Sequence, residues 1–159
     1  MNVQRKIIIL LILAISIITC TPVMMVDRAK VEQWEQIKKR MIQEIRRFYG
    51  APYQWGGDTP RGVDCSGMVK MIYKNAVGVD LPHNAHEMFK WGISIRSSQL
   101  DFGDLVFFST SGNRITHTGI YVAKGYFVHA STSRGVTIDH LDETYYRTQF
   151  VGARRLIDH

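Results

Sequence analysis

Cysteine is scarce in this chain: its 159 residues carry two, Cys20 and Cys65. With so few, the fold cannot rest on a disulfide framework of the kind that staples small secreted domains. The sequence also lacks the close Cys/His spacing of common zinc motifs. Neither a dense basic patch nor a nucleic-acid recognition motif is present, which argues against a nucleic-acid partner. Internal repeats and low-complexity linkers are missing too, so one domain and a short leader account for the length. Charged residues make up 21% and hydrophobic ones 45%, an ordinary globular balance that supports a proper core.

One long hydrophobic run exists, and it is N-terminal. Arg5 and Lys6 precede an apolar stretch from Ile7 to Ile18. This is the pattern of a secretory signal rather than of a folded element. Ile17-Ile18-Thr19-Cys20 resembles a bacterial lipobox, in which Cys20 is the lipidation site and becomes the first mature residue. The uncharged stretch continues to Val26, long enough to span a bilayer, so an uncleaved anchor competes with the lipoprotein reading. Residues 1–26 are thus expected to be a leader or membrane anchor, and 27–159 the catalytic domain. Either way the domain is extracytoplasmic and membrane-tethered, in the periplasm, at the outer membrane or at the cell surface. The formal charge is +6. Without Arg5 and Lys6, 18 basic residues face 14 acidic ones, a net +4 that suits an anionic surface such as cell-wall polymer.

Helical periodicity comes first. Trp34, Ile37, Met41, Ile45 and Phe48 recur at three- and four-residue spacing, predicting one amphipathic helix from about Asp27 to Tyr49. Its basic residues, Lys38, Lys39, Arg40, Arg46 and Arg47, fall mostly on the wet side. A Gly/Pro-rich loop, YGAPYQWGGDTPRG, leads to a second periodic run in which Met68, Val69, Ile72 and Tyr73 share a face. GVDLPHNAHEMFKWG reads as a turn and a short helix. The chain then changes to strand chemistry in DLVFF, ITHTGIYVA, YFVHAST and GVTIDH. Helices first and strands second predict an α+β fold, with an antiparallel sheet packed on the Cys65 helix.

Asp64 is a natural N-cap for that helix, which puts Cys65 in its first turn. Unpaired N–H groups and the helix dipole there favour a thiolate. The competing reading is a small buried apolar residue, which free cysteines often are. If Cys20 is lipidated or sits in a membrane, Cys65 is the odd thiol of an extracytoplasmic protein, and odd thiols are candidates for reactivity. A thiol nucleophile needs a base and something to hold the base. Of the six histidines, His117 and His129 lie on strands, whose rigidity suits aiming a side chain. His83 and His86 fall near the start of a surface helix.

The hairpin register between the two strands decides whether these imidazoles meet. A two-residue turn at Lys124-Gly125 pairs His129 with Ile120 and sends the rings to opposite faces. A three-residue loop, Ala123-Lys124-Gly125, pairs Gly119 with His129 and His117 with Ser131, so both rings share one face. It also places Gly125 in the left-handed position that such loops require. The same register gathers Ile120, Val122, Val128 and Ala130 on the other face as a core surface. Two alternatives remain open: ordinary strand histidines bonded by neighbours, and a zinc site from Cys65, His117 and His129.

Taken together, YQWGG (53–57), DCSGMV (64–69), LP (81–82), GDLVFF (103–108), HTGIY (117–121) and FVHAS (127–131) make the chain from about Phe48 to Arg155 resemble the NlpC/P60 family of cell-wall cysteine peptidases. The resemblance implies a compact papain-like fold with Cys65 as nucleophile, His117 as base and His129 as the residue orienting the base. It implies that Tyr53 lines the site and helps bind the oxyanion, and Asp64 and Ser66 are expected beside it as substrate-binding or oxyanion residues. It further implies hydrolysis of the γ-D-glutamyl–diamino acid bond in peptidoglycan stem peptides, by a monomer that needs no metal or organic cofactor. Departures from the family pattern are His83-Asn84 after Leu81-Pro82, Met88 in place of a common Gln, and Phe102 before Gly103-Asp104. Two rival functions share the fold: a non-catalytic cell-wall-binding lipoprotein, and a thioester-forming acyltransferase.

Overall fold

The computed structural model describes residues 27–110, 112 and 114–158. The expected leader, with Cys20, lies outside the described residues. Helix α1 (Arg28–Phe48) is capped by Asp27, whose carboxylate accepts from the amides of Ala29 and Lys30. Its apolar stripe buries Ile37, Met41, Ile45 and Phe48. Fully burying side chains of this size contributes about 1.5–3 kcal/mol each. Arg40, exposed on the wet side as expected, also donates from Nε to the Ala76 carbonyl at 2.8 Å. That carbonyl lies in the last turn of the next helix, where unpaired carbonyls favour a cation.

A two-stranded antiparallel ribbon, β1 (Asp58–Thr59) with β2 (Gly62–Val63), leads into α2 (Cys65–Val77). Met68, Val69, Ile72 and Tyr73 of α2 are fully buried, because the helix is covered by α1 on one side and by the sheet on the other. Gly78, at φ 83°, ends it in the left-handed conformation that closes helix C-termini. A four-residue helix, α3 (Ala85–Met88), follows.

The main sheet has six antiparallel strands in the order β3-β8-β4-β5-β6-β7. These are β3 (Ile93–Ile95), β4 (Leu105–Phe108), β5 (His117–Ala123), β6 (Tyr126–Ser131), β7 (Gly135–His140) and β8 (Phe150–Arg155). Helix α4 (Thr144–Gln149) precedes β8. One core joins α1 and α2 to Leu105, Phe107, Ile120, Val128 and Ala130. A second, smaller core contains Val106, Phe108, Tyr121, Phe127, Tyr146 and Ala153. Alternation along each strand therefore separates a helix-facing row from a second row that carries His117, His129 and their aromatic neighbours. Asp104, fully buried, anchors the frame: Arg155 grips both of its carboxylate oxygens, at 2.8 and 2.7 Å, tying the start of β4 to the end of β8.

The expected three-residue loop at Ala123–Gly125 is corrected by the structure. The turn is the two-residue Lys124-Gly125, both at positive φ (50° and 85°), closed by the pair Ala123–Tyr126. Val122 is then an extra residue on β5, a bulge that shifts the register by one. Beyond it Tyr121 pairs with Phe127 and Ile120 with Val128, the register that puts His117 and His129 on one face.

Candidate active site

The Cys65 end of α2 is built around one carboxylate. Asp64 accepts from Gly67 N at 2.7 Å and Ser66 Oγ at 2.9 Å through one oxygen, and from Gly56 N at 2.8 Å through the other. His83 Nε2 lies 3.1 Å from Asp64 Oδ1. Burial by itself raises the Asp64 carboxyl, but these hydrogen bonds outweigh it and hold the group below its ordinary value. Gly67 is required here: a Cβ would lie 2.1 Å from the Gly57 carbonyl oxygen and 2.8 Å from His83 Nε2. Asp64→Ala removes the cap and leaves these donors without an acceptor. The expected result is a loss of about 1–2 kcal/mol and a melting temperature lower by about 5 °C, read by calorimetry.

Cys65 is buried, with Sγ 4.0 Å from the Thr116 carbonyl oxygen. A hydrogen bond from the Thr118 backbone favours its thiolate. The sulfur therefore sits against both chain neighbours of His117, at the start of β5. Cys65 and His117 line one cavity of about 730 Å³, together with Tyr53, Asp64, Ser66 and His83. Trp55, 86% exposed, stands at its rim. The Ser66 hydroxyl is directed at Asp64, so its part in the site is to complete the cap. His83 and Asn84 also line this cavity; His83 lies near the start of a short helix, as expected, but on the side that faces the site.

His117 Nε2 is 2.9 Å from His129 Nδ1, and the two rings meet edge to face at 86°. Gly119, opposite His129, makes room: a Cβ there would lie 3.1 Å from the His129 Cβ and 2.7 Å from the Val128 carbonyl oxygen. Sequence reading missed what stands behind His129. Its Nε2 is 2.9 Å from Asp139 Oδ2, and Asp139 also accepts from Tyr146 Oη at 2.6 Å and from both terminal nitrogens of Arg134. These contacts occupy three of the four imidazole nitrogens, so His129 has none to offer the zinc alternative. Among the described residues, no group of three His, Cys, Asp or Glu is arranged to hold a metal ion.

Burial dominates the electrostatics. It pushes the Cys65 thiol up to about 11, with the Asp64 charge adding to the rise. The His117 imidazole goes down to about 3, first through burial and then through His129. His129 is also lowered, again chiefly by burial. Asp139 moves the other way. Hydrogen bonds from Arg134, Tyr146 and His129 overcome its desolvation and hold it at about 2. Tyr53 is raised by burial, then by the charges of Cys65 and Asp64, which keeps its phenol protonated. The expected preference of Cys65 for the thiolate at the helix start is thus opposed by desolvation, and a lone thiolate in this pocket is costly.

The NlpC/P60 family model matches residues 50–155. Among curated relatives, the chain is 38% identical over 121 residues to a murein DD-endopeptidase MepS/murein LD-carboxypeptidase of Escherichia coli (strain K12), covering 76% of this chain and 64% of that protein. It is 39% identical over 117 residues to a gamma-DL-glutamyl hydrolase of Bacillus subtilis (strain 168), covering 72% of this chain and 28% of that one. The structure of an NlpC/P60 family protein from Bacillus cereus ATCC 10987 superposes with a TM-score of 0.71 at 30% identity, over 76% of this chain and 40% of that chain. The chain thus spans less than two-thirds of the length of each of these proteins.

Proposed function

The chain belongs to the NlpC/P60 family, and from that premise we propose that it is a cysteine peptidase cutting peptidoglycan stem peptides at the γ-D-glutamyl–diamino acid bond. One observation carries the proposal. The Cys65 sulfur lies at a helix start against the backbone on both sides of His117, whose outer nitrogen is held by His129 at 2.9 Å. A wall-binding module needs neither the thiol nor the paired imidazoles.

With Nε2 engaged by His129, Nδ1 is the His117 atom left to face the thiol. The Cys65 proton passes to Nδ1 as Sγ bonds to the amide carbonyl carbon. The oxyanion is met by the Cys65 backbone N–H, one of the unpaired donors of the helix start, and by the Tyr53 phenol. When the tetrahedral adduct collapses, the C–N bond breaks and His117 returns the proton to the departing amine. A water then gives its proton to His117 and attacks the thioester, releasing the carboxylic acid and restoring the thiol. The net change is amide plus water to acid plus amine.

A second bond is supported by a specific observation: the relative that matches 76% of this chain is named a DD-endopeptidase. Incubation with purified, cross-linked peptidoglycan fragments separates the readings by product mass. Cleavage after γ-D-glutamate gives a diamino acid with a new amino terminus, and DD-cleavage separates the two cross-linked stems. Unchanged masses would support the wall-binding reading, and an added acyl group the acyltransferase reading. With its substrate in the wall, the domain works outside the cytoplasm; we take Cys20 as its lipid tether, with an uncleaved anchor as the competing reading. Labelled fatty acid is expected to enter the wild-type protein and not Cys20→Ala, and equal incorporation would rule out that tether.

A further inference from the structure

Asp139 has no part in the three-residue mechanism above, yet it is buried and its Oδ2 lies 2.9 Å from His129 Nε2. The β6–β7 register pairs Phe127 with Asp139 and His129 with Thr137. This sets Asp139 on the face of His129, one step further along the strands. Arg134, in the turn between these strands, holds both carboxylate oxygens, and Tyr146 of α4 donates from above.

We infer that Asp139 is a positioning residue that sets the tautomers of His129 and His117 in series, so that His117 presents a bare Nδ1 to Cys65. The inference rests on reading Cys65 and His117 as nucleophile and base. Its logic is proton counting. A carboxylate only accepts hydrogen bonds, so the His129 nitrogen at 2.9 Å from it, Nε2, carries that ring's proton. A neutral ring has one proton, so His129 Nδ1 is bare and accepts. His117 Nε2, 2.9 Å away, must then be the donor, and its proton leaves Nδ1 bare. Reverse the first bond and every later one reverses: His129 Nδ1–H would donate to His117 Nε2, and His117 Nδ1–H would face the thiol with nothing to accept its proton. The groups that face His129 are His117 from β5, Asp139 from β7, Arg134 from the turn, and Tyr146 with Glu143 at α4. Of these, only Asp139 is both ionised and within hydrogen-bond distance of Nε2.

The test is Asp139→Asn, a near-isosteric change that can turn an N–H toward His129. Ring-nitrogen NMR of protein labelled with ¹⁵N-histidine reads the tautomers directly, in the resting protein and without substrate. In the wild type, His117 and His129 are expected to carry their protons on Nε2. In Asp139→Asn a substantial share moves to Nδ1, and kcat falls on the order of 100-fold with KM unchanged. Unchanged tautomers, or a kcat within threefold of wild type, would overturn the relay. If Asp139→Asn does not fold, Arg134→Gln serves, because Arg134 holds both Asp139 oxygens and its side chain is half exposed. Its loss frees the Asp139 carboxylate to turn away from His129, so a share of the His129 and His117 protons is expected to move to Nδ1 in the same ¹⁵N spectra, and unchanged tautomers overturn the inference. A chain that cuts no stem peptide yet holds these tautomers would refute the proposed function and leave the relay intact.

Discussion

Cys65→Ala and His117→Ala are each expected to cut stem-peptide hydrolysis by at least about 10⁴-fold, and the double variant to be no slower than either alone. The size follows from indispensability. Without Sγ no thioester forms, and without His117 no group takes the thiol proton or supplies one to the leaving amine. Because the two act as one unit, removing the second after the first costs nothing further. His129→Ala is milder, about 10²-fold, since an unoriented imidazole is still correctly placed part of the time. Folding is not at issue for Cys65→Ala, where a small buried side chain becomes a smaller one and the Asp64 cap does not involve Sγ. The check is kcat/KM on a synthetic stem peptide, with products weighed. Either single variant within tenfold of wild type would remove that residue from the mechanism, and a double variant slower than both would mean that they act independently.

Much of this site could be read from residues alone, for physical reasons that differ from place to place. Asp64 is legible as a cap because only a short acceptor side chain satisfies the amides of a helix start, and the apolar period begins beside it. His117 and His129 are legible as partners because strand parity is strict: one register brings them together and its neighbour separates them. The turn that delivers this register was misread. A bulge at Val122 combined with a two-residue turn gives the same pairing as a three-residue loop, and parity cannot tell the two apart. Asp139 was within reach of the same reasoning. Once Ser131 pairs with Gly135, the odd-numbered residues of GVTIDH share the face of His129, leaving Thr137 and Asp139 as its neighbours. His83 was not legible, since its contact with Asp64 spans 19 residues and depends on the course of an irregular loop. Strand β8 escaped as well. FVGARR has neither clean alternation nor a turn signal before it, although its place between β3 and β4 makes it an interior strand.

Alkylation of Cys65 by iodoacetamide is expected to continue at pH 6–7 in the wild type and to slow at least about tenfold in His117→Ala at the same pH. Burial penalises a lone thiolate and a lone imidazolium alike, which is why the thiol is pushed up to about 11 and the imidazole down to about 3. A thiolate made by handing its proton to His117 is neither of these. The pair stays neutral overall, the new charges are adjacent, and amides at the helix start and at Thr118 face the sulfur. His117→Ala removes the acceptor but keeps the burial, so the remaining thiol must ionise alone. The sign is then fixed. The apparent pKa of alkylation rises above the free-thiol value of about 8.5 in the variant, and the rate at neutral pH falls because the thiolate fraction falls. The measurement is the alkylation rate from pH 5 to 11 in both proteins, followed by mass. Superimposed profiles would mean that the Cys65 proton never goes to His117, and the peptidase reading would fall with it.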